Sequence, residues 1–330
     1  MIRRHIIMSA ALAGLALASC SGGDDDDDAS PTPTPTTSPT PTPTASPTYA
    51  AFPLAAAAEF STINATTSYT GNPDAGAVTL GVAGTEMLSN RVRLATSNAI
   101  ATADYVIREN TEEARFKQAN LTTPPATTAP EFVFRTTDTA TAGKFSQLEF
   151  LNNTIAAATN TSDTGLQFTQ TSYANWWRGD SATGAKRITY SVFGYPTALT
   201  DMPTTGTQAY TSRVNARLVS VAGGATTISR LGGTVTVSVN FATGLVNVTM
   251  NLTTTNGATT TPYGTFTAQG AIGVGNNQFT GSFTQGSPLS GTISGGFFGS
   301  QAKEVGITFA GTGTFNGADQ RLVGEVVGKK

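Results

Sequence analysis

The last third of the chain, residues 207–330, alternates apolar and polar positions in short runs that are separated by glycine-containing turns. A period of two is typical of strands with one buried face. Turn sequences at 242–244, 275–277 and 316–317 suit β-hairpins. About eight strands at this regular spacing predict an all-β barrel or sandwich. The apolar positions that share the buried face are Val235, Val237, Val239, Phe241, Val246, Val248, Met250, Leu252, Phe266, Ala268, Ile272, Phe279, Phe283, Val305, Ile307 and Phe309.

Residues 50–160 carry a weaker β pattern, and threonine-, alanine- and proline-rich loops interrupt it. We interpret this part as a smaller, irregular β-rich domain. Strands are predicted at 91–94, 105–108, 132–135 and 145–151, and short helical turns are expected near 97–103 and 111–119.

The first twenty residues predict export and anchoring. Arg3 and Arg4 precede a short apolar run, which ends at Leu17-Ala18-Ser19-Cys20 and resembles a bacterial lipobox. The resemblance implies that a lipoprotein signal peptide, residues 1–19, is removed and that Cys20 is lipidated. An ordinary secretory signal with an incidental cysteine is the alternative. Ser21 after the cysteine resembles the pattern that sorts lipoproteins to the outer membrane.

Residues 20–49 predict an extended tether. Five aspartates at 24–28 repel one another and stay solvated, and repeats of Pro-Thr and Ser-Pro follow them. Proline-rich sequence adopts extended polyproline II. A calcium site in the aspartate run is the less favoured interpretation, because calcium loops space their ligands and include turn residues.

Two adjacent tryptophans, Trp176 and Trp177, lie in a strand-like run between the two halves of the chain. Neighbouring strand residues point to opposite faces, so only one of the pair can enter a given core. The other must meet a domain interface or solvent. Packing between domains is the favoured interpretation, and both tryptophans are candidate ligand-binding residues.

The composition argues against catalysis. The only histidine is His5, in the signal segment, and the only cysteine is the predicted lipidation site. Neither paired carboxylates nor a phosphate-binding loop stands out, and the net charge of −2 comes without a basic patch for nucleic acid. We therefore predict that the protein is not an enzyme, needs no cofactor, binds no metal and does not bind nucleic acid.

Three segments resemble one known family: residues 202–210 (MPTTGTQAY), 295–306 (GGFFGSQAKEVG) and 323–330 (VGEVVGKK). Together they resemble the β-barrel domain of transferrin-binding-protein-B-like surface lipoproteins, over about residues 166–330. The resemblance implies an all-β chain in which an eight-stranded antiparallel barrel, 196–330, follows a handle-like β-rich domain, 50–195. It also implies that residues 297–306 form a compact corner between the sixth and seventh strands of the barrel.

The anchor, the tether and the resemblance predict a binding protein of the cell outer membrane, held by lipid on Cys20 and facing outside. The expected partners are a host or environmental iron or haem protein and an outer-membrane transporter. A structural or adhesive envelope lipoprotein and a small-ligand carrier that uses the barrel lumen are the alternatives. The bulky inward residues suffice to fill the lumen, so binding is expected on the loops and the handle.

Overall fold

Two antiparallel β-sheets make up the described part of the chain. The computed structural model describes residues 46–96, 98–102, 104–128, 130–137, 143–155, 161–180, 184–256 and 259–330. Residues 46–330 cluster as a single unit, so the predicted division at residue 195 stays a prediction. Cys20, the predicted signal peptide and most of the predicted tether lie outside the described residues.

The first sheet, which we call the handle sheet, has nine strands in the order β4-β3-β2-β1-β9-β8-β7-β6-β5. It curls, so that the rings of Phe116 on β4 and Phe134 on β6 lie 6.2 Å apart although their strands are not neighbours in the sheet. The strands are β1 (Ala58–Thr70), β2 (Thr79–Thr96), β3 (Tyr105–Glu109), β4 (Glu112–Phe116), β5 (Leu121–Thr123), β6 (Glu131–Thr137), β7 (Phe145–Leu151), β8 (Thr171–Gly179) and β9 (Ala185–Gly194).

The structure confirms the four strands predicted in this region and corrects one helical turn. Residues 112–116 form strand β4, which pairs with β3 in an antiparallel ladder. The helix-forming residues of this segment are overridden because the ladder satisfies their backbone groups and buries Phe116 completely. Strand β1, rich in Thr, Ser and Ala, was not predicted, because its large buried side chains, Phe60, Ile63 and Tyr69, do not follow a period of two.

The second sheet is a closed eight-stranded barrel, which confirms the predicted fold class. Consecutive strands pair as antiparallel hairpins, and the pairing of β10 with β17 closes the ring. The turn at Asn316 and Gly317 has both residues at positive φ, 51° and 75°, as a tight hairpin of this kind requires. The strands are β10 (Thr207–Ala222), β11 (Ala225–Asn240), β12 (Leu245–Asn256), β13 (Thr259–Ile272), β14 (Gln278–Phe283), β15 (Ser290–Phe298), β16 (Glu304–Phe315) and β17 (Ala318–Lys329).

The barrel lumen is filled by apolar side chains. Phe241, Met250, Phe266, Phe279 and Phe309 belong to one buried cluster, and the half-buried Phe283 packs against it. The set of inward residues predicted from the alternation is therefore confirmed.

The corner between the sixth and seventh barrel strands, β15 and β16, is a short 3₁₀ turn, Ser300–Ala302. Phe297 points into the lumen, 5.5 Å from the ring of Phe279, whereas Phe298 packs with residues of the handle sheet. The hydroxyl of Tyr210 donates to the carbonyl of Ala302 at 2.7 Å, which ties the turn to the first barrel strand. The implied role of this segment as a corner is confirmed.

The outer wall of the barrel packs against one face of the handle sheet, and we call this contact the seam. Val323 and Val327 of β17 face the seam, while Leu322 and Val326 of the same strand fill the lumen. Strand β17 is thus buried on both faces, as are parts of β10, β15 and β16. The near-continuous apolar runs in these strands follow from this double burial.

One carboxylate joins the barrel to the handle sheet. Glu304, which is only 1% exposed, accepts backbone N–H bonds from Thr169 at 2.8 Å, Gln170 at 2.9 Å and Thr171 at 2.7 Å. The hydroxyl of Thr169 adds a fourth bond at 3.1 Å. These charge-assisted bonds offset the desolvation of the buried carboxylate.

We expect Glu304→Gln to lower the free energy of unfolding by about 2–4 kcal/mol, because the amide NH2 cannot accept hydrogen bonds and leaves one or two buried N–H donors unpaired, depending on its orientation. Urea denaturation measures the loss. Both tryptophans of the chain lie in β8, so their fluorescence reports the handle sheet, while circular dichroism reports both sheets. The midpoints of urea unfolding measured by fluorescence and by circular dichroism should fall by the same amount. The half-exposed Asp319 offers the control, Asp319→Asn, and an equally small effect of both variants would contradict the prediction.

Candidate functional site

A cavity of about 810 Å³ opens at one end of the handle sheet, and we call it the handle cavity. It is lined by the end of β1 (68–70), by residues 112–115 of β4 and by 136–137, where β6 ends. Residues 144–146 at the start of β7, Trp176 with 178–180 from β8, and 185–187 at the start of β9 complete the lining. The curl of the sheet creates this space, because β4 and β6 approach each other without pairing.

Trp176 lies on the cavity side of β8 and belongs to the handle core. Its indole N–H donates to the hydroxyl of Ser146 at 2.6 Å. The guanidinium of Arg178 stacks on the ring, 3.6 Å from the centroid. With 2% of its surface exposed, Trp176 supports the wall of the cavity.

Arg178 is the charged centre of this wall. It pairs with Glu109 and, at 2.7 Å, with Glu112, and Arg187 reaches the same Glu112 carboxylate at 3.0 Å. Burial lowers the pKa of Arg178, and the two carboxylates oppose the shift. The side chain keeps its charge, since guanidinium groups are not deprotonated in proteins. The pairs hold β8, β9 and β4 together beneath the cavity.

Trp177 points to the opposite side of β8, into the seam. Its ring packs edge-on against Phe145 at 5.2 Å, and the guanidinium of Arg217, on barrel strand β10, lies 5.1 Å from its centroid. The two tryptophans therefore enter different cores, as their adjacency in a strand predicts. Their role in ligand binding stays a prediction.

The rim of the handle cavity includes Arg115, which is half-exposed and pairs with Glu113 at 2.5 Å. Arg108, on the neighbouring strand, pairs with the other oxygen of the same carboxylate, also at 2.5 Å, but does not line the cavity. The side chains of the two arginines are similarly exposed, 52% and 44%. They differ mainly in whether they face the cavity.

A second polar cluster is buried in the seam, around Glu325 of β17. The amide of Asn215 donates to Glu325 Oε1 at 3.1 Å, and that of Asn175, with its nitrogen turned toward the acid, donates to Oε2 at 2.7 Å. Burial, and then the nearby carboxylate of Glu131, raise the pKa of Glu325 well above its usual value. The amides of Asn215 and Asn175 and the charge of Arg230 partly oppose this increase.

Two arginines of the barrel complete this cluster. Arg217 of β10 donates to Glu149 of β7 at 2.7 Å, and both side chains are almost fully buried. Arg230 of β11 bridges Glu131 at 2.9 Å and Glu149 at 3.2 Å. The seam is therefore specified by charge pairs as well as by apolar packing. Among the residues that the structure describes, no group of three or more His, Cys, Asp or Glu side chains is arranged to hold a metal ion.

Residues 202–330, which contain the whole barrel, match the family model of the C-lobe and N-lobe beta barrels of Tf-binding protein B. The barrel is a transferrin-binding protein B-like barrel. No curated protein matches the chain by sequence.

Solved structures with a similar chain trace include two transferrin-binding proteins B. The one from Haemophilus parasuis Hp5 is 13% identical, with a TM-score of 0.41 over 77% of this chain and 48% of that one. The one from serogroup B Neisseria meningitidis is 13% identical, with a TM-score of 0.39 over 81% and 44%. This chain thus spans about half the length of these two proteins. The haemoglobin receptor HpuA from Kingella denitrificans is 13% identical, with a TM-score of 0.38 over 83% and 86%.

In this transferrin-binding protein B-like barrel, the buried acids Glu304 and Glu325 both face the handle sheet, and neither role was predicted from the sequence. The available signal was local: Glu325 stands in the run 322–328, whose other residues are apolar or glycine, and Glu304 is followed by three such residues. A single acid in such a run points to a specific buried partner, because an unpaired buried charge is costly. No sequence pattern predicts the handle cavity, since its lining comes from six separate strands.

We expect Glu325→Gln to remove part of the pH dependence of stability. A raised carboxyl pKa in the folded state means that folding retains a proton, so this group's contribution is largest at low pH and is lost as pH rises through the folded pKa. Between pH 4.5 and 8.5, the unfolding free energy of the variant should therefore rise relative to that of the unchanged protein. Urea titrations across this range test the prediction. Parallel pH curves would contradict it, and Asp319→Asn provides the exposed control.

Proposed function

We propose that this chain is a lipid-anchored binding protein of the outer membrane that captures an iron- or haem-carrying protein and passes it to an outer-membrane transporter. The match of residues 202–330 to the transferrin-binding protein B barrels carries the proposal. The lipobox-like segment ending at Cys20 and the proline-rich tether supply the anchor and the distance from the membrane. The proposed activity is binding and delivery, without catalysis.

The handle cavity is the proposed contact site for the partner. Its volume of about 810 Å³ accommodates protruding side chains of another protein. Positive charges outnumber negative ones among its lining residues, which favours an acidic surface on the partner. The positive residues are Arg115, Lys144, Arg178, Lys186 and Arg187, and the negative ones are Glu112, Glu113 and Asp180.

The filled barrel lumen supports surface binding over a small-ligand carrier. Phenylalanine, methionine and branched aliphatic side chains occupy the space that a ligand inside the barrel would need. The handle cavity, in contrast, is open to solvent and lies in the part of the chain that precedes the matched barrel.

We expect Arg115→Glu to weaken partner binding by about tenfold, since it places a negative charge on the cavity rim, whereas Arg108→Glu should leave binding nearly unchanged. Both variants break an ion pair with Glu113, so a difference in binding between them reports the position of Arg115 on the cavity rim. Surface-immobilised chain is titrated with iron-loaded transferrin, haemoglobin and haem-loaded albumin.

Equal losses in the two variants would place the contact outside the handle cavity. Failure of all three probes to bind the unchanged protein would contradict the proposed capture of an iron or haem carrier.

We expect Cys20→Ser to release the chain from the envelope, because the lipid can no longer be attached. Fractionation of cells that express the variant measures the release, and proteolysis of intact cells reports whether the unchanged chain faces outside. A Cys20→Ser chain that remains in the outer-membrane fraction would contradict the anchoring.

A further inference from the structure

One end of the barrel carries most of the large apolar side chains that the described residues expose. Strands β10, β12, β14 and β16 all begin at this end, because the ring is antiparallel. We call it the corner end and define it by the four segments that lead into these strands: 196–206, 241–245, 272–277 and 299–303. Leu199 is 58% exposed there, Leu245 38%, and Val274 is fully exposed. The other two large apolar residues found exposed, Val82 and Met87, lie in β2 of the handle sheet.

Hydrogen bonds hold the segments of the corner end side by side. The side-chain amide of Asn277 donates to the carbonyl of Thr197 at 2.6 Å, which joins the third segment to the first. The N–H of Ile272 donates to the carbonyl of Gly244 at 2.8 Å, which joins the third segment to the second. The three exposed apolar side chains therefore share one surface.

The charge exposed at the corner end is positive. Its four segments contain two ionisable side chains, Asp201 and Lys303. Asp201 is buried and accepts from the hydroxyl of Tyr49 at 2.9 Å and from the N–H of Gln301 at 3.0 Å, so its charge is turned inward. Lys303 is exposed, and the exposed Lys330 lies beside it, since the N–H of Lys330 donates to the carbonyl of Lys303 at 3.0 Å. Exposed apolar side chains beside lysines are typical of surfaces that bind the interface of a lipid bilayer, where the apolar groups enter the acyl boundary and the amines meet phosphates.

The predicted tether joins the folded part of the chain at this same end. Tyr49, the last residue of the tether, donates through its hydroxyl to Asp201, and the N–H of Ala198 donates to that hydroxyl at 2.9 Å. These two contacts flank Leu199 in the sequence. A lipid on Cys20 would therefore be connected to the corner end, and the tether would raise the effective concentration of this surface at the membrane, so that a weak contact suffices.

We propose that the corner end is a membrane-contact surface, with Leu199, Leu245 and Val274 in the boundary between lipid headgroups and acyl chains. The inference rests on the proposed anchoring. It also gives the handle cavity a position, because β9 runs from the cavity, which residues 185–187 line, toward the corner end, which begins at 196. At about 3.3 Å per strand residue, the cavity is held roughly 30 Å from the lipid surface, where a partner can reach it.

Quenching of tryptophan fluorescence by brominated lipids tests the inference. The mature chain, residues 20–330, is coupled through its only cysteine to a maleimide lipid in vesicles of phosphatidylethanolamine and phosphatidylglycerol with bromine in the acyl chains. The emission of the unchanged chain is subtracted from that of each variant. We expect Val274→Trp to be quenched at least about twofold more than Val82→Trp, because only the first residue reaches the acyl boundary. Val82 is 85% exposed and follows Gly81, whose carbonyl accepts from Arg321 near the opposite end of the barrel.

A second set of variants tests the apolar contact itself. In the Val274→Trp chain, the double change Leu199→Asp with Leu245→Asp should reduce the quenching at least about twofold, since carboxylates resist burial and are repelled by the anionic vesicles. Val82→Asp in the same chain should leave the quenching unchanged. Circular dichroism checks that the variants fold.

The inference is overturned if Val274→Trp and Val82→Trp are quenched alike, or if the double aspartate change leaves the quenching unchanged. The maleimide lipid replaces any natural one, so these results do not depend on whether Cys20 is lipidated in cells. Failure of the proposed anchoring is detected separately, by the fractionation of the Cys20→Ser variant.

Discussion

The architecture depends on one buried carboxylate of the barrel, Glu304. Its hydrogen-bond donors are the backbone N–H groups of residues 169–171, where the chain enters β8 of the handle sheet. An uncompensated carboxylate at this depth would cost several kcal/mol. The barrel can therefore reach its buried arrangement only with the handle sheet in place. The apolar packing of the seam is non-directional and tolerates sliding, whereas three converging N–H bonds fix one position. Arg217 with Glu149 and the amides around Glu325 add to this specification.

The barrel could be predicted from the sequence to the level of strand number, turns and lumen. Period-two alternation identifies these features because one face of β11, β12 and β13 remains in water, and the contrast between faces is preserved along each strand. In β17 the alternation fails, since the handle sheet covers the second face. The sequence there contains apolar residues at consecutive positions, and period alone does not reveal which of them face the lumen.

The handle sheet was harder to predict, for two physical reasons. Its first strand buries Phe60, Ile63 and Tyr69 at spacings of three and six residues, among buried threonine, asparagine and alanine, so no period-two hydrophobic pattern marks it. Its cavity depends on the curl of nine strands, a property of the whole sheet that no local segment encodes. The two tryptophans were found because adjacency forces them to opposite faces, and yet only the structure shows that Trp176 carries a stacked guanidinium while Trp177 meets the barrel.

The closure of the barrel has a consequence for the order of folding. Asn215 and Glu325 are 110 residues apart in the chain and stand opposite each other where the first strand of the ring meets the last. Pairings of such long range form late, because the entropy of closing a large loop must be overcome before any contact compensates for it. Both acids that grip the handle sheet reside in the final two strands. The barrel must therefore be nearly complete before Glu304 and Glu325 can bond to the handle sheet. Until then, the apolar face of the handle sheet that forms the seam is exposed and can aggregate.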